Sequence, residues 1–98
     1  MDKIYKAMAE INRRKIVYWL GFGELNVSEI VKKLNLSQAT VSNHLSVLRK
    51  AGLVNDRVKG KERIYKLNLE KAELFVKELN RLMQLSSQKL GDEIIIRR

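Results

Sequence analysis

The 98 residues include no cysteine, which rules out both disulfides and thiolate metal sites. Histidine is nearly as scarce, His44 being the only one. Tight transition-metal binding needs three or four converging ligands, so neither a metal nor any other cofactor is expected. Enzyme chemistry is the poorest reading, because no carboxylate pair sits in a Gly-rich or loop context suited to it. Only six aromatics are present, and most are expected in the core, which leaves no platform for stacking RNA bases. No apolar run approaches the roughly 20 residues that span a bilayer. The stretch Ile16 to Leu20 is short and follows no signal-like segment, so no membrane partner and a cytoplasmic address are expected. No Pro/Ser linker, repeat or low-complexity tract divides the chain. A single domain over 1–98, with a small core, is therefore expected.

Positive charge, by contrast, is abundant. The net charge is +9 and the pI is near 10.0, although 45% hydrophobic and 32% charged residues mark a globular chain. Between Ser37 and Leu67 there are seven Lys or Arg against two acids, Asp56 and Glu62, a net of +5. Such a balance favours a polyanionic partner. Solubility alone is the plainer explanation.

The stretch from Ser37 to Gly52 has the most to say. Val41, Leu45 and Leu48, with Val47 beside them, make one apolar stripe of a helix. The other side carries Gln38, Ala39, Ser42, Asn43 and Ser46. These are short hydroxyl and amide side chains rather than the Glu and Lys of an ordinary solvated face. They let a helix lie deep in a groove and exchange hydrogen bonds with base edges. Ser37 is placed as the N-cap and Gly52 as the C′ residue.

The preceding chain predicts three more helices. The first, 2–9, shows Ile4, Tyr5 and Met8 at helical spacing; the second runs from Arg13 to Gly21 with Asn12 as its cap. Asn26 and Glu29 form a capping box for the third, whose inner face is Ile30, Val31 and Leu34. Third helix, tight turn and small-fronted helix make a helix-turn-helix over 27–51. After Gly52 the period changes to that of strands, and residues 53–67 read as a hairpin turning at Gly60-Lys61. It carries Arg57, Lys59, Lys61 and Arg63, and reads as a basic wing or, more plainly, a solvated hairpin. Asn68 then caps a helix over 70–90 that Gly91 is expected to stop. Its apolar stripe, which includes Phe75, Leu79, Leu82 and Met83, is too broad for one wing to cover. With Ile4, Tyr5 and Met8 it predicts a two-fold seam between two copies. The tail Ile94–Arg98 has no clear pattern. The expected fold is mainly α with a small β-hairpin (α+β), about five helices plus a two-stranded wing.

In order and spacing, the chain resembles the ArsR/SmtB-type (arsenic-repressor) family of dimeric winged helix-turn-helix regulators. The resemblance lies in AEINRRKI (9–16), GELNVSEI (23–30), LSQATVSNHL (36–45), LRKAGLV (48–54) and RVKGKERIYKL (57–67). It implies operator binding, usually repression released by a signal. It also implies two common metal sites that this chain departs from. One uses cysteines where Asn26 and Ser28 stand; the other uses Asp and His on the last helix, and residues 70–90 contain neither. The family's proline is replaced by Ile11.

On that resemblance Gln38, Ala39, Ser42 and Asn43 meet base edges, with Ser46 a turn further from the groove floor. Gln38 and Asn43 suit adenine, Ala39 a thymine methyl, and Ser42 either edge. Ser37, Thr40, His44, Arg57, Lys59, Lys61 and Arg63 are candidates for the sugar-phosphate backbone. For Thr40 and His44 a bond between helices is the alternative, and for Arg57 a bracing role in the wing. Arg13, Arg14 and Lys15 are candidates for phosphate contact or plain solvation. The expected partners are double-stranded DNA and a second copy of the chain. Two other functions fit the pattern: a protein-interaction module, and a regulator answering to a small-molecule or protein inducer that the residues do not identify.

Overall fold

The computed structural model describes the backbone of residues 1–97 and the side chains of residues 1–85. Its elements are α1 (Asp2–Met8), α2 (Ile11–Leu20), β1 (Leu25–Asn26), α3 (Val27–Leu34), α4 (Gln38–Lys50), β2 (Val54–Lys59), β3 (Glu62–Leu67) and α5 (Leu69–Arg97). The strands form an antiparallel sheet in the order β1-β3-β2. β1 extends the expected two-stranded wing to three strands, pairing Leu25 with Tyr65 and Asn26 with Ile64. Two residues are too few to show alternation, so nothing local announces this strand.

Helix ends follow from named side chains. α2 begins earlier than expected because Glu10, not Asn12, is its cap, accepting the Arg13 backbone N–H at 3.0 Å. The guanidiniums of α2 close the end of α1: Arg13 donates to the Ala7 and Lys6 carbonyls (2.6 and 3.3 Å) and Arg14 to the Met8 carbonyl (2.7 Å). The last carbonyls of a helix have no partner within it, so a seven-residue helix gains most of its end satisfaction from its neighbour. At α3 the capping box forms, with Asn26 Oδ1 accepting the Glu29 N–H at 2.8 Å and Glu29 Oε1 the Asn26 N–H at 2.9 Å. Asn35 stops α3 in the left-handed region (φ 54°, ψ 45°), and Ser37 Oγ caps α4 by accepting the Thr40 N–H at 3.1 Å. At the other end Gly52 takes φ 86°, and the Leu53 N–H reaches back to Leu48 while Gly52 reaches Arg49, a Schellman closure.

The core lies where α2, α3, α4 and the sheet meet. Ile16, Ile30, Val41, Leu45 and Leu48 are fully buried, joined by Leu53, Val54 and Tyr65. Burying each Leu or Ile contributes roughly 1.5–3 kcal/mol. Val47, placed with the apolar stripe by spacing, is exposed instead. Ile4 and Ala7 also belong to this core, so Ile4 packs within the protomer instead of facing the expected seam. Gly91 does not end α5. The helix runs through it to Arg97, because one internal Gly costs only about 1 kcal/mol relative to Ala. The side chains of Leu90 and Ile94–Arg98, and hence the role of the tail, lie outside the described residues.

Candidate nucleic-acid interface

α4 is divided lengthwise. Val41, Leu45 and Leu48 face the core, while Gln38, Ala39, Thr40, Ser42 and Asn43 are exposed and Ser46 is half-buried. Within the first turn, Ser37 Oγ donates to Thr40 Oγ1 at 2.8 Å, so the two hydroxyls are tied to each other as well as to the helix end. The N-terminal turn of α4 does not stand alone. Gln38 shares a groove of about 260 Å³ with Asn26, Val27 and Ser28 at the start of α3, and with Lys61, Glu62 and Arg63 at the wing tip. The small polar helix front and the wing therefore open toward the same side.

His44 lies elsewhere on α4. Its side chain is only 15% exposed and sits between two residues of the α1–α2 junction. Arg13 Nη1 lies 3.4 Å from Nδ1 and Glu10 Oε2 3.7 Å from Nε2. A guanidinium can only donate, so a neutral ring here accepts at Nδ1 and carries its proton on Nε2, toward Glu10. That is the interhelix placement among the two weighed for this residue. Desolvation opposes ionisation of Glu10, but the Arg13 backbone N–H, His44 and the Asn12 N–H together hold its carboxyl below the usual range.

The wing cations divide into two kinds. Arg57 makes a two-pronged bond to Glu24 (2.7 and 2.8 Å), tying β2 to the loop before β1. Hydrogen bonding from Arg57 lowers the Glu24 carboxyl and raises the guanidinium in turn. Arg63 is bonded to Asp56 on the neighbouring strand, which likewise raises it. Lys59 and Lys61 flank the turn at Gly60 and are exposed, with no carboxylate partner among the described residues. Of four cations expected on the phosphate rails, two are engaged as braces and two project outward. Glu62, overlooked in the sequence, accepts from Asn26 Nδ2 at 3.2 Å and joins the wing to α3. Asp56–Arg63 is traceable from the hairpin register, since the two are diagonal neighbours across β2 and β3. Glu24–Arg57 spans 33 positions and leaves no local signal.

Among the described residues no group of three or more His, Cys, Asp or Glu could hold a metal ion, and Asn26 is occupied by its capping box. No described helix is long and apolar enough to cross a membrane.

Comparison with known proteins places these features in a wider set. Residues 11–56 match the family described as bacterial regulatory protein, arsR family. The HTH-type transcriptional regulator Rv2034 of Mycobacterium tuberculosis is 43% identical over 67 residues, 68% of this chain and 63% of that protein. The transcriptional repressor SdpR of Bacillus subtilis is 34% identical over 68 residues, 69% of this chain and 76% of the repressor. Among solved structures, the homodimeric winged helix-turn-helix DNA-binding domain Mb0332 from Mycobacterium bovis superposes with a TM-score of 0.72. It is 26% identical, and the match covers 89% of this chain and 82% of that one.

Proposed function

The chain belongs to the ArsR family of bacterial regulatory proteins, and from that premise we propose that two copies bind an inverted-repeat operator and repress transcription from it. Each α4 enters a major groove with Gln38, Ala39, Ser42 and Asn43 toward the base edges. Lys59 and Lys61 of each wing hold the flanking phosphates, which positions the protein without specifying sequence. The two half-sites lie about one helical turn apart. The observation that carries this reading is the shared groove of Gln38, Lys61 and Arg63, because one duplex can then meet helix and wing together. The two-fold arrangement rests on α5, where Leu82 and Met83 are 40% and 68% exposed within one protomer, and on the homodimeric relative. The family's two common metal sites have no part in it.

Selection of bound duplexes from a random pool, followed by footprinting and transcription from the selected site, tests it. The expected result is an inverted repeat, protected on one face in successive turns, whose transcript falls when the protein is added. Sequence-blind binding of the pool would overturn the operator assignment, and a rising transcript would overturn repression.

A further inference from the structure

At the end of α2 three of the six aromatics gather on the surface. Tyr18 and Phe22 are 60% and 73% exposed, and Trp19 is half-buried beside them. The Tyr18 ring stands nearly perpendicular to both neighbours, with centroids 5.3 Å from Trp19 and 5.2 Å from Phe22. Trp19 and Phe22, together with Gly23, Glu24, Leu25 and Lys33, line a shallow pocket of about 210 Å³. The Lys33 ammonium lies 4.5 Å from the Trp19 ring centroid, a cation–π contact.

Positive charge predominates around the pocket. Lys32 and Lys33 on α3 and Lys15, one turn before Trp19 on α2, are exposed, with no carboxylate partner among the described residues. Of the two nearby acids, Glu24 is offset by Arg57, while Glu29 keeps its charge at the α3 capping box, leaving three cations against one carboxylate. Single exposed apolar residues are ordinary, but adjoining aromatics within a charged rim have the anatomy of an interface centre. Stacked nucleic-acid bases fit poorly, since base stacking needs an open ring face. Here Tyr18 packs edge to face on both neighbours, Trp19 and Phe22 are tilted by 47°, and Lys33 covers Trp19.

We propose that this patch docks an acidic protein segment bearing one aromatic or aliphatic anchor, which enters the pocket between Phe22 and Lys33 while its carboxylates meet Lys15, Lys32 and Lys33. The pocket shares no lining residue with the Gln38 groove.

Trp19 is the only tryptophan, so its fluorescence reports on this site alone. The full chain is titrated with a short Asp/Glu-rich peptide carrying one Phe. Controls are the same peptide with Phe replaced by Ser, its Lys-for-acid counterpart, phosphatidylglycerol vesicles and a single-stranded oligonucleotide. A saturable emission shift is expected with the first peptide only. It should be weakened about tenfold or more in Phe22→Ser and lost in the charge reversal Lys33→Glu, while Phe22→Ser leaves the thermal melt and duplex binding unchanged. No shift with the acidic peptide, an equal shift with the basic one, or persistence of binding in both variants would overturn the proposal. So would a response confined to vesicles or oligonucleotide.

Discussion

α4 and α5 are both amphipathic, yet they use their two faces in opposite ways. In α4 Val41, Leu45 and Leu48 are completely buried in their own protomer and the polar face is left outside. In α5, Leu69, Val76 and Met83 recur every seven residues and all are exposed, as are Leu74, Leu82 and Leu85. Phe75 reaches the core fringe, packing edge-on against Tyr5 with centroids 5.3 Å apart. The 29 residues of α5 extend roughly 43 Å at 1.5 Å per residue, more than the small core beneath them can cover. α4 is thus finished by intramolecular packing, whereas α5 is finished only by something else. The first helix holds its polar groups on a rigid seat; the second leaves apolar surface without cover in one protomer.

Substitution can break each half of this contrast. The largest effect is expected from Leu45→Ala, which empties a fully buried site and should cost about 2–5 kcal/mol of protomer stability in chemical denaturation. A loss below 1 kcal/mol would mean that α4 is not seated as described. Next, Leu82→Glu combined with Met83→Glu should weaken self-association by about 2 kcal/mol or more, read by sedimentation. If association is unchanged, α5 has another use. On the polar face of α4, Gln38→Ala or Asn43→Ala should lose about 1–3 kcal/mol against the cognate duplex and relax sequence preference, as measured by competition binding. Unaltered discrimination in both would remove them from base reading.

A smaller difference separates the free and the engaged wing cations. Lys61→Ala should reduce the slope of log affinity against log salt by about one and weaken all sequences alike. Arg63→Ala should change that slope less, because Arg63 is already bonded to Asp56; equal changes would undo the division. The mildest effect concerns pH. Glu24 is held below its ordinary range by Arg57, so its stabilising contribution is complete above the unfolded Glu value, about 4.3, and is lost as pH falls through the lowered folded value. Amide protection around Arg57, taken relative to intrinsic exchange at each pH, should therefore fall on acidification in that window, and Arg57→Gln should abolish the step.

The parts of this molecule that were legible in its sequence are those governed by neighbours in the chain. The Asn26–Glu29 capping box, the Ser37 cap and the Gly52 stop each need only a few adjacent residues, and each stands where expected. The composition of the α4 front was equally plain, because side-chain type and period-3.6 spacing are local properties. What escaped depends on contacts between distant segments. β1 exists only because β3 offers it an edge. Arg57 is a brace only because Glu24 arrives from across the sheet, so a count of basic residues overstated the charge free to meet phosphate. Ile4 carries the same apolar spacing as Tyr5, and only the packing of α1 against α2 and α4 decides which one turns inward. Glu10 stands as cap in place of Asn12 because its carboxylate accepts the Arg13 N–H, which starts the helix two residues earlier.

Arg13 has a consequence for how force passes through the protomer. One guanidinium grips the tail of α1 through the Ala7 and Lys6 carbonyls, is rooted in α2, and touches His44 in the middle of α4. Twisting the N-terminal helix must either pull on that rivet, and so on α4, or shear it. One side chain thus joins three helices that the chain itself connects only in series.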